Sequence, residues 1–212
     1  MNAQQPTHRK LDVAYDYVAI VDFLPNFDRA SECTSDALGD LLKSSGYKYG
    51  VKEVNNNQEF IGVLRALAKR THNGENFILQ LVGHGTAEGL VMPDTGIVLN
   101  WSVVAPALRQ FHPDVIEKMI LNMSCCKGIN GAKIASYLEV PFFGLIGPGK
   151  DIPFDIAYEI NNGFYKKMMS GVSVNDIIRQ LQAELGDDVV YGITSYGYLE
   201  LRGKQLRGEK LS

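Results

Sequence analysis

At 212 residues and 45% hydrophobic, the chain can bury a full core and fits one α/β domain with at most a modest extension. Its formal net charge of -3, with no Lys/Arg stripe, excludes a basic nucleic-acid-binding surface. Three cysteines, two of them adjacent, form no disulfide framework and point to a reducing cytoplasm.

Residues 1–11 are polar, with no apolar run behind a basic start, and read as a loose tail rather than a secretory signal. No later apolar run has bilayer length, so no membrane span is expected. Tyr17 to Leu24 reads as a buried strand, broken by Pro25-Asn26. Thr34 or Ser35 caps a helix with Leu38, Leu41 and Leu42 on its apolar face and Gly46 past its end. Tyr47 to Val54 is a second strand. Asn56 with Glu59 resembles a capping box opening a helix with Phe60, Val63, Leu64 and Leu67 inward, ended by Asn73-Gly74.

Phe77 to Val82 is a third strand, followed by Gly83-His84-Gly85. Leu90-Val91-Met92 and Ile97-Val98-Leu99, around Pro93 to Gly96, read as a small hairpin. Ser102 to Phe111 is a helix, Lys118 to Ser124 a fourth strand, and Gly128–Gly131 a turn before a helix near Ala132–Leu138. Pro141 to Ile146 is a fifth strand, ended by Gly147-Pro148-Gly149. Helices follow from Asp155 to Met169 and after a Ser173 cap. Val189 to Thr194 is a sixth strand and Tyr198 to Leu201 a seventh. Strands alternating with helices specify an α/β fold: a three-layer αβα sandwich with a mostly parallel central sheet of about six strands. Residues 12–203 form one domain, with 204–212 a second tail.

Parallel strands bind ligands beyond their carboxyl ends. The third and fourth strands end in His84-Gly85 and Cys125-Cys126, which places a base and a thiol side by side. A histidine between two glycines at a strand end can exchange protons at neutral pH, where a solitary one is more simply a satisfied structural residue. Most free cysteines are small core residues, so one of the pair is read as nucleophile and the other as core. Both spacings are open: Cys125-x-x-Gly128 and Cys126-x-Gly128. Cys33 reads as structural, and His8, His72 and His112 as solvated. No His/Cys/Asp cluster has metal-ligand spacing, and no glycine-rich loop has phosphate-binding spacing, so no metal or cofactor is expected.

The order and strand context of Leu81-Val82-Gly83-His84-Gly85 and Asn122-Met123-Ser124-Cys125 resemble a caspase-fold cysteine peptidase. The closer likeness is to the CHAT subgroup, bacterial caspase relatives often joined to helical repeats. Gly89 to Gly96 resembles the hairpin after the histidine. Phe143 to Pro148 and the Phe164-Tyr165 helix resemble the end of that domain. The likeness spans roughly residues 15–195. It implies a cysteine endopeptidase acting on a protein or peptide substrate, with Cys125 as nucleophile, His84 as general acid/base, and backbone N–H groups of Gly85 and Cys125 as the oxyanion site. The Cys126 beside Cys125 departs from the pattern and keeps the nucleophile open by one residue. Asp151 and Asp155 are expected to form an acidic pocket for Arg or Lys. Arg29 lies where caspases keep an arginine that receives Asp. The resemblance further implies control by a separate protein, as in bacterial defence systems. A catalytically silent caspase-like interaction module and a vicinal-thiol redox protein are the competing readings.

Overall fold

Apolar strands alternating with amphipathic helices bury both faces of a parallel sheet, and the computed structural model has this form. It describes residues 15–32, 34–72, 74–135 and 140–207. The first half runs β1 (Tyr17–Asp22), α1 (Asn26–Glu32), α2 (Thr34–Ser44), β2 (Tyr49–Glu53), α3 (Asn57–Thr71) and β3 (Phe77–Val82). Next come three short strands, β4 (His84–Gly85), β5 (Gly89–Val91) and β6 (Val98–Asn100), then α4 (Trp101–Leu108) and α5 (Pro113–Ile116). The rest is β7 (Ile120–Ser124), a 3-10 helix (Gly128–Ile134), β8 (Gly144–Pro148), α6 (Phe154–Met169), α7 (Val174–Leu185), β9 (Val190–Thr194) and α8 (Ser195–Leu206).

The central sheet has six strands in the order β2-β1-β3-β7-β8-β9, parallel throughout except that β9 runs antiparallel to β8. Helices α3 and α4 cover one face, where Phe60, Leu64, Trp101 and Leu108 pack with Leu79, Leu81, Leu121 and Met123. Helices α2, α6 and α7 cover the other, where Leu38, Phe164 and Leu181 pack with Ile20, Ile78 and Ile120. After β1 the chain moves outward to β2, and after β3 it moves the other way to β7. The crevice between the carboxyl ends of β1 and β3 is therefore the topological switch point, where open α/β sheets bind their ligands.

Several expectations are corrected. Tyr198 to Leu201 lies in α8, not in a seventh strand, because the Thr194 side chain accepts a hydrogen bond from Gly197 N–H at 3.0 Å and caps a helix there. That helix runs on to Leu206, into the stretch expected as a tail. The fifth strand begins at Gly144 rather than Pro141. Pro141 has no N–H to give, and it is Phe143 N–H and Gly144 N–H that reach Met119 O, at 3.0 and 3.4 Å. Helix α1 was not anticipated. None of its seven residues is buried, so it carries no apolar period. The expected helix near Ala132–Leu138 is a 3-10 helix as far as Ile134 and ends at the extended Ala135; residues 136–138, like residues 1–11, Cys33 and Asn73, lie outside the described residues.

Candidate active site

Strands β3 and β7 pair up to Val82 opposite Ser124. One more hydrogen bond, Gly83 N–H to Ser124 O at 3.2 Å, carries the pairing past the strand ends. The chain then swings into β4, which runs antiparallel to β5 with His84 opposite Val91. Glycine is required on both sides of His84. A Cβ on Gly83 would stand 2.2 Å from the Phe23 ring. A Cβ on Gly85 would stand 2.6 Å from the Cys126 carbonyl oxygen and 3.1 Å from Cys125 Sγ. The His84-Gly85 and Cys125-Cys126 motifs thus touch backbone to backbone.

The two cysteines face opposite ways. A strand alternates its side chains, and Leu121, Met123 and Cys125 fall in the core cluster beneath α3 and α4. Cys125 is 3% exposed. Burial, with the neighbouring Cys126 adding to it, pushes the Cys125 thiol far above the ordinary thiol range, toward the unreactive protonated form. Cys126 is half-buried, and its thiol donates to Ile152 O at 3.7 Å. The His84 side chain is 40% exposed, its Nε2 lies 2.7 Å from Asp28 Oδ2, and its ring meets Phe154 edge-on with centroids 5.8 Å apart. Cys126 and His84 therefore face one short segment, 152–154. Of the two thiols the sequence left open, Cys126 is thus the more accessible, and Cys125 is turned into the core beside Gly85.

A tight turn holds Cys126 at the rim. Gly128 N–H donates to Cys125 O at 3.0 Å, and Lys127 takes a left-handed backbone with φ of 55°. Non-glycine residues occupy that region at a cost, typically where surrounding structure fixes them. Here Lys127 N–H donates to Lys150 O at 3.1 Å and Lys127 Nζ pairs with Asp151 at 3.1 Å.

The two aspartates expected to form an acidic pocket flank the 152–154 segment in the chain. Asp151 is exposed and shares its charge with Lys127. Asp155 is exposed in the first turn of α6, accepts from Ile156 N–H at 2.8 Å, and pairs with no cation among the described residues. Arg29 is committed elsewhere: its Nε lies 3.3 Å from Asp22 Oδ1 and its Nη1 3.1 Å from Glu53 Oε2. Together with Ser35 and Asp36 these residues line a cavity of about 480 Å³ on the β2 side of β1.

Two features escaped the sequence reading. One is Asp28, on a helix with no apolar period. The other is a buried polar chain inside strands that read as uniformly apolar. Gln80 Nε2 and Asn161 Nδ2 both donate to Ser124 Oγ, at 2.7 and 2.6 Å, and Tyr165 OH donates to Gln80 Oε1 at 2.8 Å. These residues lie on the α6 face directly below Cys126, so each donor and acceptor must find a partner inside the protein. Asn122 and Ser124 stand two apart on β7, with Gln80 opposite Asn122 on β3, and that period-two polar spacing was the signal that could have marked them.

No family model and no curated protein matches the chain. Among the described residues no helix is long and apolar enough to cross a membrane, and no group of three or more His, Cys, Asp or Glu is placed to hold a metal ion.

Proposed function

We propose that the chain is a cysteine endopeptidase with Cys126 as nucleophile and His84 as general acid/base. The observation carrying this reading is the convergence of a half-buried thiol and a half-exposed imidazole on the 152–154 segment, at the carboxyl ends of β7 and β3. The caspase-fold resemblance supports the same pair of motifs but gives the nucleophile's part to Cys125, so the choice of Cys126 rests on its greater accessibility. In the reaction the Cys126 thiolate attacks the carbonyl carbon of a peptide bond and forms an S–C bond. The C–N bond then breaks, and the amine leaves with a proton from the His84 imidazolium. Water, deprotonated by His84, hydrolyses the thioester and restores the thiol. The backbone N–H groups of Gly85 and Cys126 are the proposed oxyanion donors. Asp155, exposed and with no cation partner among the described residues, favours Arg or Lys before the scissile bond, and Asp151 adds less because Lys127 offsets it. The proposed setting is the cytoplasm, with a separate protein controlling access to the site.

Peptide acyloxymethyl ketones bearing terminal Arg, Lys or Asp test this directly, with the modified residue mapped by mass spectrometry. Labelling at Cys126 that disappears in His84→Ala, strongest for Arg or Lys, is the expected result. Labelling at Cys125 returns the nucleophile to that residue. A folded protein that no probe labels is the interaction module instead.

A further inference from the structure

His84 is held by a residue from the far side of the switch point. Asp28 sits in the first turn of α1, which follows β1, whereas His84 follows β3, and 56 residues separate them in sequence. Helix α1 buries no residue, so apolar packing does not place it. Its anchor is the next residue: Arg29 reaches back to the buried Asp22 carboxylate and across to Glu53, and its Nη1 also bonds Asn26 Oδ1 at 3.0 Å. With Arg29 fixed inward, Asp28 is turned the other way, toward the imidazole. No cation among the described residues pairs with the Asp28 carboxylate, so its one charged-group partner is His84.

A carboxylate oxygen 2.7 Å from Nε2 can only accept, so it favours the tautomer with the proton on Nε2. Nδ1 is then left as the lone-pair nitrogen, the atom that can take a proton from a thiol or water. The same carboxylate stabilises the imidazolium once it forms. We infer that Asp28 is a positioning residue that fixes the ring orientation and tautomer of His84. Its catalytic consequence rests on the peptidase reading above; the contact itself does not.

The test uses the full chain with ¹⁵N-labelled histidine, His84→Gln identifying the His84 signals. In mildly alkaline buffer the ring nitrogens of the unsubstituted protein report a single Nε2–H tautomer, and Asp28→Ala gives a mixture. With a peptide substrate, Asp28→Ala loses about 10- to 100-fold in kcat, the scale of a misplaced catalytic group. KM stays within about twofold, as for an interaction realised in the transition state. Asp28→Glu, which keeps the carboxylate on a longer stem, recovers the single tautomer and most of the rate. An unchanged tautomer in Asp28→Ala overturns the inference, as does a loss expressed in KM alone. A protein that neither turns over substrate nor reacts with the ketone probes sinks the peptidase reading, while the nitrogen spectrum still decides whether Asp28 holds His84.

Discussion

Two acid–base pairs stand side by side at the carboxyl rim, built from neighbouring residues of α1. Asp22–Arg29 is closed. The Asp22 side chain is 0% exposed, and its oxygens accept from Leu24 N–H and Ser35 Oγ while facing Arg29 Nε. Asp28–His84 is open. The two side chains are 27% and 40% exposed, and Nε2 alone of the imidazole nitrogens is engaged among the described residues. A fully buried carboxylate with its oxygens saturated is a strut, since removing it leaves buried donors without an acceptor. A half-solvated pair with a nitrogen to spare can change protonation without unfolding the protein. The contrast separates a saturated contact from a solvent-accessible one better than residue type does.

The sharpest way to break this comparison lies at the cysteines, which repeat it. Cys126→Ala is expected to lower kcat by at least about 10⁴-fold, the scale for loss of a nucleophile. Cys125→Ala keeps most activity but lowers the urea midpoint by an amount worth about 1 kcal/mol, through lost packing. Iodoacetamide at neutral pH, followed by peptide mapping, should find Cys126 alkylated and Cys125 protected. The reverse pattern reverses the assignment. Next in size, Asp22→Ala should cost about 1–3 kcal/mol in chemical denaturation, because Leu24 N–H and Ser35 Oγ lose their buried acceptor. Asp28→Ala should cost no more than about 1 kcal/mol, as for exposed pairs. Equal costs would erase the distinction between strut and site.

A smaller effect appears at high pH. Burial raises the folded-state pKa of the Cys125 thiol and the Tyr165 hydroxyl above their ordinary values of 9.0 and 10.0. A raised folded pKa contributes stability that is fully present below the unfolded value and lost as pH rises toward the folded one. Unfolding free energy should hold steady to about pH 8.5 and fall beyond pH 9–10 as the unfolded chain ionises, so these two groups add an alkaline limb. Tyr165→Phe should flatten that limb while costing about 1–3 kcal/mol at neutral pH, since Gln80 Oε1 loses its donor. An alkaline limb as steep as before would place the titration elsewhere. Smallest of all, Asp151→Asn should shift stability by less than about 0.5 kcal/mol, because the Lys127 pair is exposed.

The sequence was most readable where one periodicity ruled. Phe77–Val82 is buried at every position and appears with its expected bounds. The expected capping box formed, with Asn56 Oδ1 accepting from Glu59 N–H at 2.9 Å, although Glu59 reaches back to Asn55 N–H at 2.8 Å rather than to Asn56. Legibility failed where position depends on contacts distant in sequence. Helix α1 is held by ion pairs rather than an apolar stripe, so both it and Asp28 were invisible. Four residues at 198–201 alternate well enough for a strand, and the Thr194 cap overrode that short signal. The inward turn of Cys125 was legible in principle, because counting by twos along β7 sends it into the core with Met123.

One further consequence comes from His84 lying on β4. The imidazole belongs to a three-stranded sheet whose strands are two or three residues long, whereas Cys126 hangs from β7 in the middle of the six-stranded one. Short strands form the least cooperative β-structure, and amides there exchange through local opening well below the global unfolding free energy. Base and thiol therefore ride on units of unequal cooperativity. Mild denaturant should part them first, so that the midpoint for loss of Cys126 labelling precedes the midpoint for loss of far-ultraviolet dichroism.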